Sequence, residues 1–269
     1  MIKNVIFSGG GLKGWAYIGT LQALDELIPR NNLEHIIGVS IGSIFGLFYL
    51  LDIKWDILLD FIMEINFKEV VDINIDDVLI NQSILAGKIF ADTIKQIIAT
   101  KIDPDITFKQ LNSYSKIKYT INAINITKSK LEYFNYELTP DIKIIDAIRA
   151  SSAIPLLFPP IYLNGSYYYD GGICNNCPFE LVDEICTIAF DVSSINETHN
   201  SYHLLDLLNS LMYIFNKGVK PNIFFKILDK RFDKESLNIN QTRDDIFNIY
   251  KHGYLNSKNI IYNNFIAIK

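Results

Sequence analysis

The sequence predicts an α/β fold with a mainly parallel sheet, and three observations carry that prediction. A short apolar run near the N-terminus passes through a cluster of glycines into a helical pattern; a second apolar run ends at a serine and continues as another helical pattern; and strand-like and helix-like segments keep alternating toward the C-terminus. With 269 residues, 49% of them hydrophobic, the chain has enough apolar material for a substantial core. No internal repeat or long linker divides it, so one domain spanning residues 1–269 is expected.

Lys3 to Ser8 reads as a buried strand running into Gly9-Gly10-Gly11-Leu12-Lys13-Gly14, after which Tyr17, Leu21, Leu24 and Ile28 share one helical face. A glycine loop at a helix N-terminus leaves backbone amides unpaired where the helix dipole favours negative charge, so it is suited to cradle an anion. Three anions compete for it. A dinucleotide pyrophosphate requires an acidic residue at the end of the next strand, and Glu34 falls in a loop before that strand. A P-loop requires Gly-Lys-Ser/Thr, whereas Lys13 lies between Leu12 and Gly14. The third candidate is the oxyanion of a carbonyl under attack, which requires a nucleophile nearby.

His35 to Val39 reads as the next buried strand, and Gly38-Val39-Ser40-Ile41-Gly42 forms a GxSxG before the apolar helical stretch Ile41 to Leu51. Strand, serine, helix is the context of a nucleophile elbow, in which Gly38 and Gly42 allow a sharp turn and close approach of neighbouring chain. A serine there also serves as an ordinary helix N-cap. Helical spacing recurs from Trp55 to Ile65 and from Ser83 to Ile97, with Val70 to Ile80 between them read as loop with a short strand. The aromatic and aliphatic side chains of this region suit either core or lipid contact.

Asp103-Pro104-Asp105 marks a turn before a short helix from Thr107 to Leu111. Lys118 to Thr127 and Leu131 to Tyr136 form a hairpin, and Thr139-Pro140-Asp141 opens a helix through Ile148. Asn164-Gly165 marks a second, tight hairpin, which delivers the chain to Asp170-Gly171-Gly172. Such a sequence is a turn by default; functionally it holds a carboxylate where a permissive backbone lets it reach a partner. A strand from Glu184 to Val192, a helix from Leu204 to Phe215, a strand from Asn222 to Leu228 and a helix from Asp244 to Leu255 complete the chain.

The net charge of −5 and the scattered lysines argue against nucleic acid as a partner. Lys3 and the short run Val5-Ile6-Phe7 do not make a secretory signal, and no apolar run is long enough to span a bilayer, so the expected chain is intracellular, soluble or peripheral to membranes. Cys174, Cys177 and Cys186 do not form a disulfide framework. With His199 and His203 they sketch a zinc site, but without the two tight ligand pairs such sites commonly have; no metal or cofactor is expected.

The glycine run after the first strand, the GxSxG after the second, the segment Ala147 to Pro155, and Asp170-Gly171-Gly172 followed by Asn176 and Pro178 together resemble the patatin-like phospholipase family over about residues 3–192. That resemblance implies a three-layer α/β/α sandwich and a Ser-Asp dyad, with Ser40 as nucleophile and Asp170 as its base. It further implies an oxyanion hole from the backbone of Gly9, Gly10, Gly11, Leu12, Lys13 and Gly14, with Gly38, Gly42, Gly171 and Gly172 supporting the elbow and the base loop. The implied substrate is a lipid or a membrane, cleaved at a fatty acyl ester by water or transacylated to another alcohol, and the need for an activating protein factor stays open. Lys13 sits where the family carries a basic residue, and stabilising the loop, attracting a phosphate head group and simply facing solvent are all open for it. Two rivals remain at this stage: a Ser-His-Asp hydrolase drawing on His199, His203 or His252, and a catalytically silent lipid-binding protein on the same fold.

Overall fold

The structure is a computed structural model describing residues 1–65, 83–193, 223–229, 231–232, 238 and 240–266. The readings of Val70 to Ile80 and Leu204 to Phe215, together with His199 and His203, fall outside these residues.

The chain has a mixed α/β fold built on an eight-stranded sheet. Strands β1 (Asn4–Phe7), β2 (His35–Gly38), β3 (Lys118–Asn125), β7 (Thr187–Asp191) and β8 (Phe224–Lys226) run parallel, in the order β8, β7, β1, β2, β3. The antiparallel part comprises β4 (Lys130–Phe134), β5 (Ile161–Leu163) and β6 (Ser166–Asp170). Strands β1, β2 and β7 are buried along their whole length, as parallel strands covered on both faces must be.

Successive residues of these strands serve opposite layers. Val5, Phe7 and Ile36 join the main core, which α1 (Ala16–Leu27) and α2 (Ile41–Leu50) cover through Tyr17, Phe45 and Tyr49. Ile6, Ile37 and Ala189 face the other way, against Cys177, Phe179 and Val182. Among the described residues the other helices are α3 (Trp55–Glu64), α4 (Lys88–Ala99), α5 (Phe108–Ser115), α6 (Ile144–Ser151) and α7 (Arg243–Ile261).

Several boundaries differ from those the sequence predicts. Helix α6 begins at Ile144 rather than at Thr139-Pro140, because the carbonyls of Pro140 and Ile142 accept the amides of Lys109 and Phe108 and so cap α5. Helix α4 begins after Gly87, since Ile84 and Leu85 extend to bond the carbonyls of Leu156 and Leu157. Glu184–Cys186 forms a short 3-10 turn ahead of β7. The terminal helix runs from Arg243 to Ile261, six residues beyond the expected Leu255, and Thr242 and Asp245 form a capping box at its start. It packs on α1 where Gly253 meets the backbone of Ala16 and Gly19 meets the backbone of Tyr250 and Tyr254, with Thr20 and Ser257 hydroxyls 2.9 Å apart.

Strand β3 decides the geometry of the site. Its Ile121 pairs with Gly38 of β2 on one edge and with Phe134 of β4 on the other. Its Ala123 pairs with Asp170 of β6 and with Glu132 of β4. A strand has only two edges, so β2 and β6 share one of them, end to end, and the chain leaving β2 meets the last residue of β6.

Candidate active site

Ser40 caps α2 with φ 51° and ψ −127°, a conformation costly for a residue with a side chain. Four contacts hold it there. Its amide donates to Ser151 Oγ at 2.9 Å; Ser43 Oγ donates to its carbonyl at 2.6 Å; the Gly42 amide donates to Val39 O at 2.8 Å; and the Tyr119 hydroxyl donates to Ser43 O. The elbow turns against neighbouring backbone, which explains its glycines. A Cβ on Gly42 would stand 2.5 Å from Ser8 O, and one on Gly38 would stand 2.8 Å from Gly42 O. No side-chain cap hydrogen bond forms, so the helix-cap role does not account for Ser40.

Asp170 ends β6, is 1% exposed, lies close enough to the Ser40 hydroxyl for it to favour the ionised carboxylate, and accepts the Gly172 amide on Oδ1 at 2.7 Å. Burial pushes its carboxyl up to about 7 from an ordinary 3.8, against the opposing effect of the hydrogen bonds from Ser40 and Gly172. Between those values the unfolded chain releases a proton that the folded chain keeps, so Asp170's contribution makes stability fall as pH rises from about 4 to about 7. Thermal melts across that range should show this slope in the wild-type protein and a shallower one in Asp170→Asn; identical slopes would refute the assignment.

The glycine loop lies against both groups. Gly11–Trp15 is a 3-10 turn rather than open loop, and Gly14 packs on Ile41, the residue after Ser40. A Cβ on Gly9 would sit 3.0 Å from Ser40 Cβ. Asn176 ties this loop to the base loop: its Oδ1 accepts the Gly9 amide at 2.7 Å and its Nδ2 donates to Gly9 O at 3.2 Å. The Gly9 amide is therefore already committed, which removes it from the expected set of oxyanion donors. Lys13 is 1% exposed, which excludes a solvent-facing role. Gly171 packs on the side chain and backbone of Asn122, and Asn122 Nδ2 donates to Asn175 O at 2.8 Å, clamping the segment after Asp170.

The site thus brings together Ser40, Asp170, Gly9 to Gly14, Gly38, Gly42, Gly171 and Gly172. Sequence reasoning did not assign the positioning contacts of Ser151, Asn122 and Asn176. Asn122 carried a legible signal, since a polar amide among Tyr119, Ile121 and Ala123 breaks the apolar content of a central strand. His252 is remote in kind: it lies on α7 beside Arg231, with its Nδ1 on Asn248 O. Among the described residues no group of three or more His, Cys, Asp or Glu could hold a metal ion, and no helix is long and apolar enough to cross a membrane.

A parallel-sheet α/β chain with a serine on a strained strand-to-helix elbow, beside a buried carboxylate, falls in the class of folds that present a serine at the carboxyl edge of the sheet. The chain belongs to the patatin-like phospholipase family, whose model matches residues 5–183. It is 28% identical over 246 residues to a protein named probable lipid hydrolase from Invertebrate iridescent virus 6, covering 85% of this chain and 83% of that one. It is 31% identical over 231 residues to an uncharacterized protein of Acanthamoeba polyphaga mimivirus, covering 82% and 76%. Among solved structures, VipD from Legionella pneumophila shares the fold with a TM-score of 0.70 at 16% identity, covering 97% of this chain and 67% of that one.

Proposed function

We propose that this chain is a lipid acyl hydrolase that cleaves fatty acyl esters of phospholipids through a seryl acyl-enzyme, with Ser40 as nucleophile and Asp170 as its base. The observation that carries the reading is Ser40 on its strained elbow set beside the buried carboxylate of Asp170, with no histidine against either among the described residues. Family membership and the relative named as a lipid hydrolase support the substrate class.

The chemistry follows from the groups in place. Asp170 takes the Ser40 proton as Oγ attacks the ester carbonyl, and the carbonyl oxygen gains the negative charge. Backbone amides in the stretch Gly10 to Gly14 receive that charge, each well-placed donor being worth about 3 kcal/mol of barrier. The tetrahedral intermediate collapses, the alcohol leaves with the proton from Asp170, and the acyl group stays on Ser40. Water then repeats the attack with Asp170 again as base, releasing the fatty acid and restoring the hydroxyl.

A base must be ionised to act, so kcat/KM should rise with pH through a midpoint near 7 and level off above it. A flat profile from pH 5 to 9 would count against Asp170. The identifying experiment is a lipid panel read by mass spectrometry with wild type, Ser40→Ala and Asp170→Asn, alongside labelling by a serine-directed fluorophosphonate. Product from one lipid class in wild type alone establishes reaction and substrate together; wild type that neither turns over lipid nor labels indicates the silent lipid-binding protein.

A further inference from the structure

The loop after Asp170 is gripped from outside the site by three side chains that the chemistry above does not use. In the pairing of β3 with β4, Asn122 stands opposite Tyr133, so both side chains leave the same face of the sheet. Asn175 bonds to both strands. Its carbonyl accepts Asn122 Nδ2, while its own Nδ2 donates to Glu180 Oε1 at 2.8 Å and approaches the Tyr133 hydroxyl at 3.4 Å. The Tyr133 hydroxyl donates to the same Glu180 oxygen at 2.5 Å. Partial burial, with Glu180 beside it, raises the Tyr133 phenol and keeps it a donor. One carboxylate oxygen thus joins β4 to the base loop through two charge-assisted hydrogen bonds.

These bonds fix the residues on either side of Asn176. The Asn175 amide donates to Gly171 O at 3.0 Å, and Asn175 Oδ1 accepts the Cys177 amide at 3.2 Å. Asn176 itself touches every part of the site. Beyond its two bonds to Gly9, a Cβ on Gly172 would stand 2.9 Å from Asn176 Oδ1 and 3.1 Å from Asp170 Oδ1. The same amide therefore borders the glycine loop, which packs on Ser40, and the Gly172 amide that holds the base. A displacement of about 1 Å at such a point costs up to about 10²-fold in rate.

We propose that Tyr133, Asn175 and Glu180 are positioning residues for the reaction of Ser40: together they hold Asn176, and through it Gly9 and Gly172, in register with the reacting pair. The proposal rests on the reading of Ser40 and Asp170 as that pair. None of the three touches the reacting atoms, so their loss should slow the chemical step and leave ligand affinity alone.

The test is the rate at which a fluorophosphonate labels Ser40, resolved into a maximal rate and a half-saturating concentration, with the labelled residue mapped by mass spectrometry. Labelling needs the nucleophile, its base and the oxyanion donors, but no identified lipid. Glu180→Ala should lower the maximal rate about tenfold and leave the half-saturating concentration within about twofold of wild type. Glu180→Gln keeps an oxygen for both donors and should return the rate to within about threefold of wild type. Tyr133→Phe/Glu180→Ala should label no more slowly than Glu180→Ala, since the two side chains act as one unit. A maximal rate in Glu180→Ala within twofold of wild type overturns the proposal. So does Glu180→Gln no faster than Glu180→Ala, or a loss confined to the half-saturating concentration. Should Glu180→Ala not fold, Tyr133→Phe carries the same comparison: it should lower the maximal rate at least threefold, and an unchanged rate overturns the proposal. Wild type that does not label at Ser40 overturns the underlying reading and the proposal with it, whereas labelled wild type matched by Glu180→Ala overturns the proposal alone.

Discussion

Ser40→Ala and Asp170→Asn should each reduce kcat/KM for a lipid ester by about 10³-fold or more, because nucleophile and base act as one unit in the same step. Each substitution leaves the other part of the site standing. Asparagine at position 170 still offers an oxygen to the Gly172 amide, so loss of activity there reports loss of the base rather than of the loop. The double variant should be no worse than the poorer single one, since in the proposed mechanism both residues serve one proton transfer. Asp170→Asn retaining activity within about tenfold of wild type would sink the dyad. A third substitution separates strain from chemistry: Ser40→Gly should be as inactive as Ser40→Ala but more stable by roughly 1 kcal/mol, because glycine accepts φ 51° without penalty.

Gly42→Ala should be the most damaging small substitution for folding, at about 3 kcal/mol or more. The added Cβ would collide with the carbonyl oxygens of Phe7 and Ser8, which belong to the end of β1 and cannot rotate aside. Relief requires moving the first helix turn away from the sheet, and that turn carries Ser40. Gly165→Ala is the matched control, since φ +79° strains its backbone while a Cβ there meets nothing within 4 Å. It should cost only about 1 kcal/mol. Urea midpoints of the two variants distinguish collision from strain, and equal midpoints would refute the distinction.

The two halves of the site differ in how much of them the chain betrays locally. The elbow and the glycine loop each lie in a contiguous strand, turn and helix, so residue order alone delivers them to the carboxyl edge of a parallel sheet. The meeting of Ser40 with Asp170 is another matter. It depends on β2 and β6 occupying one edge of β3, a pairing that no local pattern encodes, and it entered through resemblance to a family rather than through spacing. The role of Lys13 stayed open for a related reason: lysine is ordinarily a surface residue, and no local pattern announces that this one is buried. The start of α6 was displaced by the amides of α5, which needed the carbonyls of Pro140 and Ile142 more than a longer helix did.

The end-to-end placement of β2 and β6 also sets which changes in chain length the molecule tolerates. The Asn164–Gly165 turn lies beyond the last paired residues of its hairpin, so added residues there lengthen a loop and leave the β6 register alone. One residue inserted between Ser166 and Asp170 would instead rotate every side chain after it to the opposite face of the sheet. The carboxylate would then point away from Ser40 although no residue of the site had been replaced. Insertions and deletions in this short strand are therefore all-or-none events, and a natural variant carrying one would have an intact elbow with no carboxylate facing it.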